Sequence, residues 1–212
     1  MEYLEQRREL VEITEELYRE KLITPSGGNL SLRLPDDQGF LITPSMMFKG
    51  GLKPEDLVLL DPQGKPVERR SRPSVETPMH IKIYQMNPKV GAVIHTHAPY
   101  ATIAGLYGLS IPPITLEAVR FHQLPVVPFC LPGSRDLVNQ VAAALEKEPT
   151  AQALLLQNHG LLTMGRTLRL AANASMSLEE ACHMATICRL LGGEPKLIEP
   201  EKVEFLKKIT VL

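Results

Sequence analysis

Two histidines separated by one residue end a short apolar segment of the chain. They are His95 and His97, and the segment before them, residues 91–94, is typical of a β-strand. In a strand, residues i and i+2 point to the same face, so both imidazoles are expected to project toward one point. A third histidine, His159, lies in a Gln-Asn-His-Gly segment. Three neutral imidazole nitrogens with an open coordination position are typical of a catalytic zinc site, whereas a structural site would use four ligands, usually including cysteines.

A carboxylate and three polar turns are the next candidates for chemistry. Glu76 lies near the start of a predicted helix, where it either interacts favourably with the helix dipole or acts as a metal ligand or general acid/base. Residues 27–29, residues 43–45 and Ser74 offer backbone N–H groups and short polar side chains that can bind an anion. Each turn alone is a weak indication. The remaining histidines lack a comparable setting and are not expected to be catalytic; they are His80, His122 and His183.

Strands and helices must alternate to position these residues. Helical periodicity predicts helices over residues 4–21, 75–86 with Ser74 as the N-cap, 99–108, 134–146 and 167–191. Apolar runs bounded by turns predict strands over residues 30–34, 40–43, 57–60, 91–94, 126–129 and 153–157. The proline in the segment 126–129 favours an edge position in the sheet. The polar turn after residue 34 predicts a β-hairpin, so we expect an α/β sandwich whose sheet is mixed or antiparallel.

Composition excludes several classes of protein. The chain has 212 residues, 44% of them hydrophobic and 22% charged, with a formal net charge of -1. We expect one domain over residues 1–212, without the basic footprint of a general nucleic-acid-binding protein. No apolar stretch approaches the roughly 20 residues that cross a bilayer, and the charged N-terminus is not a signal peptide, so a cytoplasmic location is expected. Three cysteines without a CxxC pair do not indicate a disulfide framework.

Five motifs, taken in order, resemble those of the class II aldolase/adducin family, in particular its zinc-dependent L-fuculose-1-phosphate aldolases. They are Gly28-Asn29-Leu30-Ser31, Thr43-Pro44-Ser45, Pro73-Ser74-Val75-Glu76, His95-Thr96-His97-Ala98 and Gln157-Asn158-His159-Gly160. They occur in the family's order with near-family spacing from about residue 5 to residue 193. The combination is specific, and the three histidines separate this chain from adducin-like relatives that lack them.

The resemblance implies a fold, an assembly and a reaction. The fold is a three-layer α/β/α sandwich with a mixed, mainly antiparallel central sheet, assembled as a homotetramer with active sites between subunits. The reaction cleaves a ketose 1-phosphate to dihydroxyacetone phosphate and an aldehyde, with one Zn²⁺ per subunit stabilising the negative charge of an enediolate. The implied metal ligands are His95, His97 and His159; Glu76 is the acid/base; and the substrate phosphate is bound by Gly28, Asn29, Ser45 and Ser74.

Three positions depart from the pattern of the fuculose-type aldolases. Val75 replaces the second of two serines before the catalytic glutamate, and Met46 replaces the usual glycine after the Thr-Pro-Ser turn. Leu116 lies where those aldolases have a tyrosine that acts across the subunit interface. The nearest ionisable residue is Glu117, which is either an interfacial carboxylate or the second acid/base, as in the dehydratase branch acting on methylthioribulose 1-phosphate.

Several activities therefore remain open besides the aldolase. A dehydratase or a sugar-phosphate 4-epimerase can use the same site, although epimerase relatives have a longer insert before the third histidine. Decarboxylation of a phosphorylated keto acid is another possibility. A non-catalytic, adducin-like assembly module is the alternative from a different class, and retention of the three histidines and Glu76 argues against it.

Overall fold

A computed structural model describes residues 1–68, 71–122 and 124–209. The strands are β1 (Asn29–Arg33), β2 (Phe40–Ile42), β3 (Val58–Leu60), β4 (Ala92–Thr96), β5 (Val126–Val127), β6 (Ala153–Leu156) and β7 (Gly160–Gly165). The helices are α1 (Leu4–Arg19), α2 (Thr77–Met86), α3 (Pro99–Tyr107), α4 (Leu116–Val119), α5 (Arg135–Lys147), α6 (Leu168–Leu190) and α7 (Pro200–Ile209). Within those three ranges, no helix has the length and apolar character needed to cross a membrane.

The strands form one seven-stranded sheet in the order β3-β2-β1-β4-β7-β6-β5. Strands β1 to β4, β6 and β7 pair antiparallel, and β5 pairs parallel to β6 at the edge of the sheet. The sheet is therefore mixed and mainly antiparallel, as the resemblance implies, and the proline-containing segment occupies an edge as predicted.

Helices cover both faces of the sheet and make two apolar cores. One core joins the sheet to α1, α3 and α6, and the other joins it to α2 and α5. Side chains of β4 alternate between them, with Ile94 in the first core and Val93 in the second. Because His95 and His97 continue the alternation of Val93, they are expected on the face covered by α2. These three layers confirm the predicted α/β/α sandwich.

The bounds of the predicted elements agree with the structure to within two residues, and the difference at the start of α2 affects the site. The sequence predicts that Ser74 caps a helix beginning at Val75, whereas the helix begins at Thr77 and Glu76 occupies the N-cap position. The physical reason is Pro78, which has no N–H and fits only in the first turn of a helix. The Ser74 hydroxyl instead accepts a hydrogen bond from the Glu76 N–H at 3.2 Å. This correction places Glu76 where the chain enters the helix rather than inside it.

Candidate functional site

The three predicted metal ligands lie together at the end of β4, the middle strand of the sheet. Strand β4 delivers His95 and His97, and the turn between β6 and β7 delivers His159. Since β4 and β7 pair antiparallel with Thr96 opposite Leu161, the start of β7 lies beside the end of β4. One ring nitrogen from each histidine lies within 4.8 Å of the others, and the Nε2 atoms of His95 and His97 are 3.1 Å apart. The predicted convergence of the three imidazoles is present.

The protonation of these rings suits metal binding. The Leu161 carbonyl accepts a hydrogen bond from Nδ1 of His95 at 3.0 Å, so Nε2 presents a lone pair to the other two rings. Burial, helped by His159 and His97, lowers the pKa of His95 well below its usual range. Burial also lowers the pKa of His97. The lowered pKa values keep His95 and His97 available as neutral donors, and together with the nearby His159 nitrogen they form a donor set that fits a divalent metal ion.

Two glycines make room for the histidine rings. A Cβ atom on Gly27 would lie 2.6 Å from Nδ1 of His97. A Cβ atom on Gly160 would lie 2.2 Å from the Thr96 carbonyl oxygen and 3.3 Å from a ring carbon of His95. A larger residue at Gly27 would displace the His97 ring, and one at Gly160 would require the backbone at Thr96 to move. The turns around the histidines therefore determine where the ring nitrogens converge.

Glu76 is buried directly beside the histidine cluster. Its Oε2 lies 3.4 Å from Nε2 of His95, and its Oε1 lies 3.6 Å from Nε2 of His159. The Asn29 amide donates a hydrogen bond to Oε2 at 2.7 Å. Oε1 is buried and has no hydrogen-bond partner among the described residues. The geometry therefore provides a carboxylate oxygen that is free to meet a group bound at the histidines.

The three polar turns predicted to bind an anion are joined to one another. The Thr43 N–H donates to the Leu30 carbonyl at 3.0 Å, and the Leu30 N–H donates to the Thr43 hydroxyl at 3.1 Å. The Ser45 N–H donates to the carbonyl of Arg72, two residues before Ser74. Hydrogen bonds thus bring the predicted phosphate ligands Gly28, Asn29, Ser45 and Ser74 into one region next to Glu76. Phosphate binding by these residues stays a prediction.

A buried lysine under these turns is absent from the sequence-based prediction. The Lys49 side chain is 2% exposed, and its ammonium group donates to the Pro44 carbonyl at 2.6 Å. Its backbone N–H donates to the Pro25 carbonyl, which links the turn at residues 43–45 to the loop before Gly28. Burial lowers the pKa of Lys49 to about 8. The sequence gives no sign of this burial, because a lysine in a turn is usually exposed.

His80 also has a setting that the sequence-based prediction missed. It is fully buried on α2, and its Nε2 lies 2.6 Å from Oδ1 of Asn29, the residue whose amide bonds Glu76. Burial lowers the pKa of His80 to about 3, so the ring is neutral. The available signal was its spacing of four residues from Glu76, which places both on one face near the start of a helix.

Glu117 lies outside the histidine cluster of its own chain. It is exposed on α4, next to Leu116, whose side chain is 63% exposed. These two residues line a surface depression together with Arg120 and Asn173, away from the contacts described above for Glu76. A role for Glu117 in catalysis therefore requires that it approach the site of another subunit.

Comparison with known proteins supports the resemblance seen in the motifs. Residues 8–186 match the family described as Class II Aldolase and Adducin N-terminal domain. The chain belongs to this family. A 5-methylthioribulose-1-phosphate/5-deoxyribulose-1-phosphate aldolase from Rhodospirillum rubrum is 33% identical over 181 residues, which cover 84% of this chain and 79% of that one. A 3-oxo-tetronate 4-phosphate decarboxylase from Escherichia coli is 34% identical over 195 residues, covering 89% and 88%.

A solved structure of this class II aldolase family has the same fold. An L-fuculose 1-phosphate aldolase superimposes with a TM-score of 0.87 and 28% sequence identity, covering 97% of this chain and 96% of the other. The histidine cluster and the buried glutamate therefore lie in a class II aldolase fold. The relatives act on different phosphorylated substrates, so membership of the family leaves the substrate of this chain undecided.

Met46, which replaces a glycine usual in the family, has a strained backbone. Its φ angle is 57°, in the left-handed region, and its side chain is 89% exposed. We expect Met46→Gly to raise the free energy of unfolding by about 0.5–1 kcal/mol, because relief of about 1–2 kcal/mol of strain exceeds the entropic cost of glycine. Urea denaturation measures the change. Met47→Gly is the matched control and is expected to be destabilising, since Met47 has no positive φ. An equal loss of stability in both variants would contradict the prediction.

Proposed function

We propose that this protein is a zinc-dependent aldolase that cleaves a ketose 1-phosphate to dihydroxyacetone phosphate and an aldehyde. One observation carries the proposal: a buried Glu76 carboxylate lies 3.4 Å and 3.6 Å from ring nitrogens of two converging histidines, with Oε1 unpartnered. A carboxylate beside a cation site is suited to transfer protons at a carbon next to a carbonyl. The aldolases among the relatives support this type of reaction.

The residues divide the chemistry between them. His95, His97 and His159 would hold the zinc ion, which when bound supplies a Lewis acid that stabilises negative charge on the substrate oxygens. Cleavage between C3 and C4 leaves an electron pair on C3, and Glu76 would deliver a proton there through Oε1, which has no hydrogen-bond partner in the described part of the chain. In the condensation direction, the same oxygen removes that proton. The C4 hydroxyl proton needs a second base, for which we propose Glu117 of a neighbouring subunit.

We propose that the substrate phosphate binds where the three polar turns meet. Gly28 and Asn29, Ser45 and Ser74 would supply hydrogen-bond donors, as the resemblance implies. Lys49 adds a buried cation under the same turns. Burial disfavours the charged form of Lys49, and a nearby phosphate dianion would stabilise that form again because the opposite charge offsets the cost of desolvation. The phosphate in turn orients the carbonyl toward the histidines.

Lys49 should give the free protein a distinctive pH dependence. Its pKa is about 8 in the folded chain against an ordinary value of 10.5, so between these values the unfolded chain binds more protons and stability rises with pH. From pH 8 to pH 10.5, the free energy of unfolding of the wild type should therefore rise relative to that of Lys49→Met, by up to about 3 kcal/mol. Urea titrations at several pH values measure it.

The matched control is Lys53→Met, since Lys53 is an exposed lysine in the same segment. Its stability difference from wild type should stay constant over the same pH range. Lys49→Met should also raise the KM for the phosphorylated substrate more than Lys53→Met does. Parallel pH profiles for the two variants would show that Lys49 carries no desolvation cost.

We also propose that the protein is a homotetramer whose active sites lie between subunits. Val75, next to Glu76, is 62% exposed, and the turn before α5 packs against it through Gly133. Leu131, in the same turn, is 68% exposed, and Phe129 is 53% exposed. Exposed apolar side chains beside a buried catalytic group are typical of a surface that another subunit covers. Sedimentation velocity tests the proposed assembly.

A panel of substrates tests the proposed reaction. The zinc-loaded protein is incubated with the 1-phosphates of L-fuculose, 5-deoxyribulose and 5-methylthioribulose, and the products are identified by mass spectrometry and chromatography. Release of dihydroxyacetone phosphate supports the aldolase. Loss of water from 5-methylthioribulose 1-phosphate would indicate the dehydratase instead, and inversion at C4 without cleavage would indicate an epimerase. The chelator-treated protein is the control, and equal activity there would exclude a metal-dependent reaction.

A decarboxylase is the second candidate, favoured by the Escherichia coli relative that is 34% identical over 195 residues. Loss of carbon dioxide from a phosphorylated 3-oxo acid leaves the same kind of enediolate as cleavage of a ketose phosphate. The same three histidines and Glu76 could therefore serve both reactions. Release of carbon dioxide from 3-oxo-tetronate 4-phosphate, with no cleavage of any ketose 1-phosphate, would replace the aldolase proposal with this one.

A further inference from the structure

A line of buried polar side chains leads from Glu76 into the layer between the sheet and α2. The Asn29 amide bonds Oε2 of Glu76 at 2.7 Å, and Oδ1 of Asn29 lies 2.6 Å from Nε2 of His80. Nδ1 of His80 lies 2.7 Å from the Ser31 hydroxyl, which lies 2.8 Å from the Tyr84 hydroxyl. All five side chains are buried, none more than 5% exposed. We call this set, from Glu76 to Tyr84, the Glu76 chain.

Because the Asn29 amide nitrogen donates to Oε2 of Glu76, the direction of every other hydrogen bond in the Glu76 chain follows. Oδ1 of Asn29 is an acceptor, so Nε2 of His80 must carry the proton that bonds it. Because His80 is neutral, its Nδ1 is then unprotonated and accepts from the Ser31 hydroxyl. The single hydroxyl proton of Ser31 is thereby used, so the Ser31 oxygen accepts from Tyr84. Donation therefore runs in one direction, from Tyr84 to the Glu76 carboxylate.

Two rigid elements hold the Glu76 chain. Asn29 and Ser31 are residues i and i+2 of β1 and therefore share one face of the sheet. His80 and Tyr84 follow Glu76 at intervals of four residues and share one face of α2. The phenol ring of Tyr84 stacks on Phe40 at 4.6 Å, which fixes the far end of the line. Side chains held in this way have little freedom to change hydrogen-bond partners.

The direction of the Asn29 amide decides how Glu76 is held. An asparagine amide can rotate by half a turn and exchange its oxygen and nitrogen with little change in shape. The rotation would bring the amide nitrogen against Nε2 of His80, and the ring would then have to move its proton to Nδ1, the atom that accepts from Ser31. With the amide rotated, an oxygen would face Oε2 of Glu76 and repel the carboxylate. The His80 side chain therefore acts on the Glu76 carboxylate through Asn29.

We propose that His80 is a positioning residue for catalysis: it fixes the Asn29 amide, which holds Oε2 of Glu76 and leaves Oε1 as the oxygen that exchanges a proton with the substrate. The proposal rests on the proposed acid/base function of Glu76. It assigns different tasks to the two carboxylate oxygens, one anchored by the amide and one unpartnered beside His159. The Ser31 hydroxyl, which accepts from Tyr84, donates to Nδ1 of His80 and so keeps the ring proton on Nε2.

Neutron crystallography of the zinc-loaded protein tests the arrangement itself. We expect a proton on Nε2 of His80, none on its Nδ1, and the Asn29 amide nitrogen facing Oε2 of Glu76. A proton on Nδ1 or a rotated amide would overturn the proposal. This measurement does not depend on which substrate the enzyme uses, so it can fail while the proposed function holds. Conversely, a wild-type protein without activity on the substrate panel would contradict the proposed function, while the neutron structure would still decide whether His80 and Asn29 have the proposed proton positions.

Two substitutions of His80 separate positioning from packing. His80→Leu keeps an apolar side chain but removes the donor to Asn29, and kcat should fall by about 100-fold while the zinc content and the substrate KM change little. His80→Gln retains an N–H donor at about the place of Nε2 and should recover most of that loss. Equal kcat values in the two variants would overturn the proposal, as would a loss expressed only in KM.

A third variant controls for loss of stability. Ser175→Ala removes another buried hydrogen bond, the 2.6 Å contact between the Thr163 and Ser175 hydroxyls, on the face of the sheet that packs against α6. Its thermal unfolding should show a cost comparable to that of His80→Leu, with kcat unchanged. If Ser175→Ala lowered kcat as much as His80→Leu at equal stability, the effect of His80 would be structural and the proposal would be wrong.

Discussion

Replacing His97 by alanine is expected to remove both the bound zinc and the lyase activity. Its Nε2 lies 3.1 Å from that of His95, and its ring packs against Gly27, so its removal takes one of the three converging nitrogens out of the cluster. Two imidazoles remain, and the affinity for zinc should fall by more than about 100-fold, the loss that follows even from substitutions one shell further out. Metal analysis by mass spectrometry after dialysis measures the zinc content, and the substrate panel measures the activity.

His183→Ala is the matched control for this prediction. His183 is half-exposed on α6, stacks on Tyr100 and pairs with Glu180 at the surface. Its removal should leave zinc content and kcat unchanged. Circular dichroism should show that both variants keep the fold, because neither residue belongs to the two apolar cores. Stoichiometric zinc with full activity in His97→Ala would contradict the assignment of the metal site.

Glu76→Gln is expected to lower kcat by about 10²–10⁴-fold while zinc stays bound. Glutamine has the shape of glutamate and can still accept the hydrogen bond of Asn29 through its carbonyl oxygen. It cannot exchange a proton at the position of Oε1, so binding of substrate survives and proton transfer does not. Steady-state kinetics should show the loss in kcat with little change in KM.

Glu180→Gln, at an exposed carboxylate of α6, is the control and should retain full activity. Loss of zinc from Glu76→Gln would show that Glu76 is a ligand rather than an acid/base, which is the alternative left open by its 3.4 Å approach to His95. Undiminished cleavage in Glu76→Gln would exclude the acid/base role. A large loss in Glu117→Gln would add support for a second acid/base from a neighbouring subunit.

The sequence predicts the elements that carry the histidines because their signals are local. The apolar run before His95 indicates a strand, and the i, i+2 rule then places His97 on the same face. Proline and serine signals fix the ends of α3 and α5 in the same way. Strand β7, in contrast, is not predicted, because its short apolar run at 161–164 is followed almost at once by the helical pattern that begins at residue 167. Helix α4 has only four residues, too few for helical periodicity to appear.

The parts of the site that the sequence does not predict depend on tertiary contacts. Lys49 is buried where its own turn, whose Pro44 carbonyl accepts from its ammonium group, meets the more distant loop at Pro25. His80 acquires its partners because β1 lies against α2, a pairing of residues 49 and 51 positions apart. No spacing along the chain encodes the direction of a hydrogen bond between Asn29 and Glu76. The local sequence pattern thus indicates which residues are candidate ligands. Their burial and hydrogen-bond partners, which set their pKa values and orientation, depend on the completed fold.

The position of β4 has a consequence for how the metal site behaves over time. This strand lies between β1 and β7, with helices over both faces, so we expect its amide groups to exchange slowly with solvent. His95 lies in this strand, and His97 directly follows it. We therefore expect the proposed ligands to stay in register without an ion, so that the apoprotein takes up metal without passing through an unfolded state.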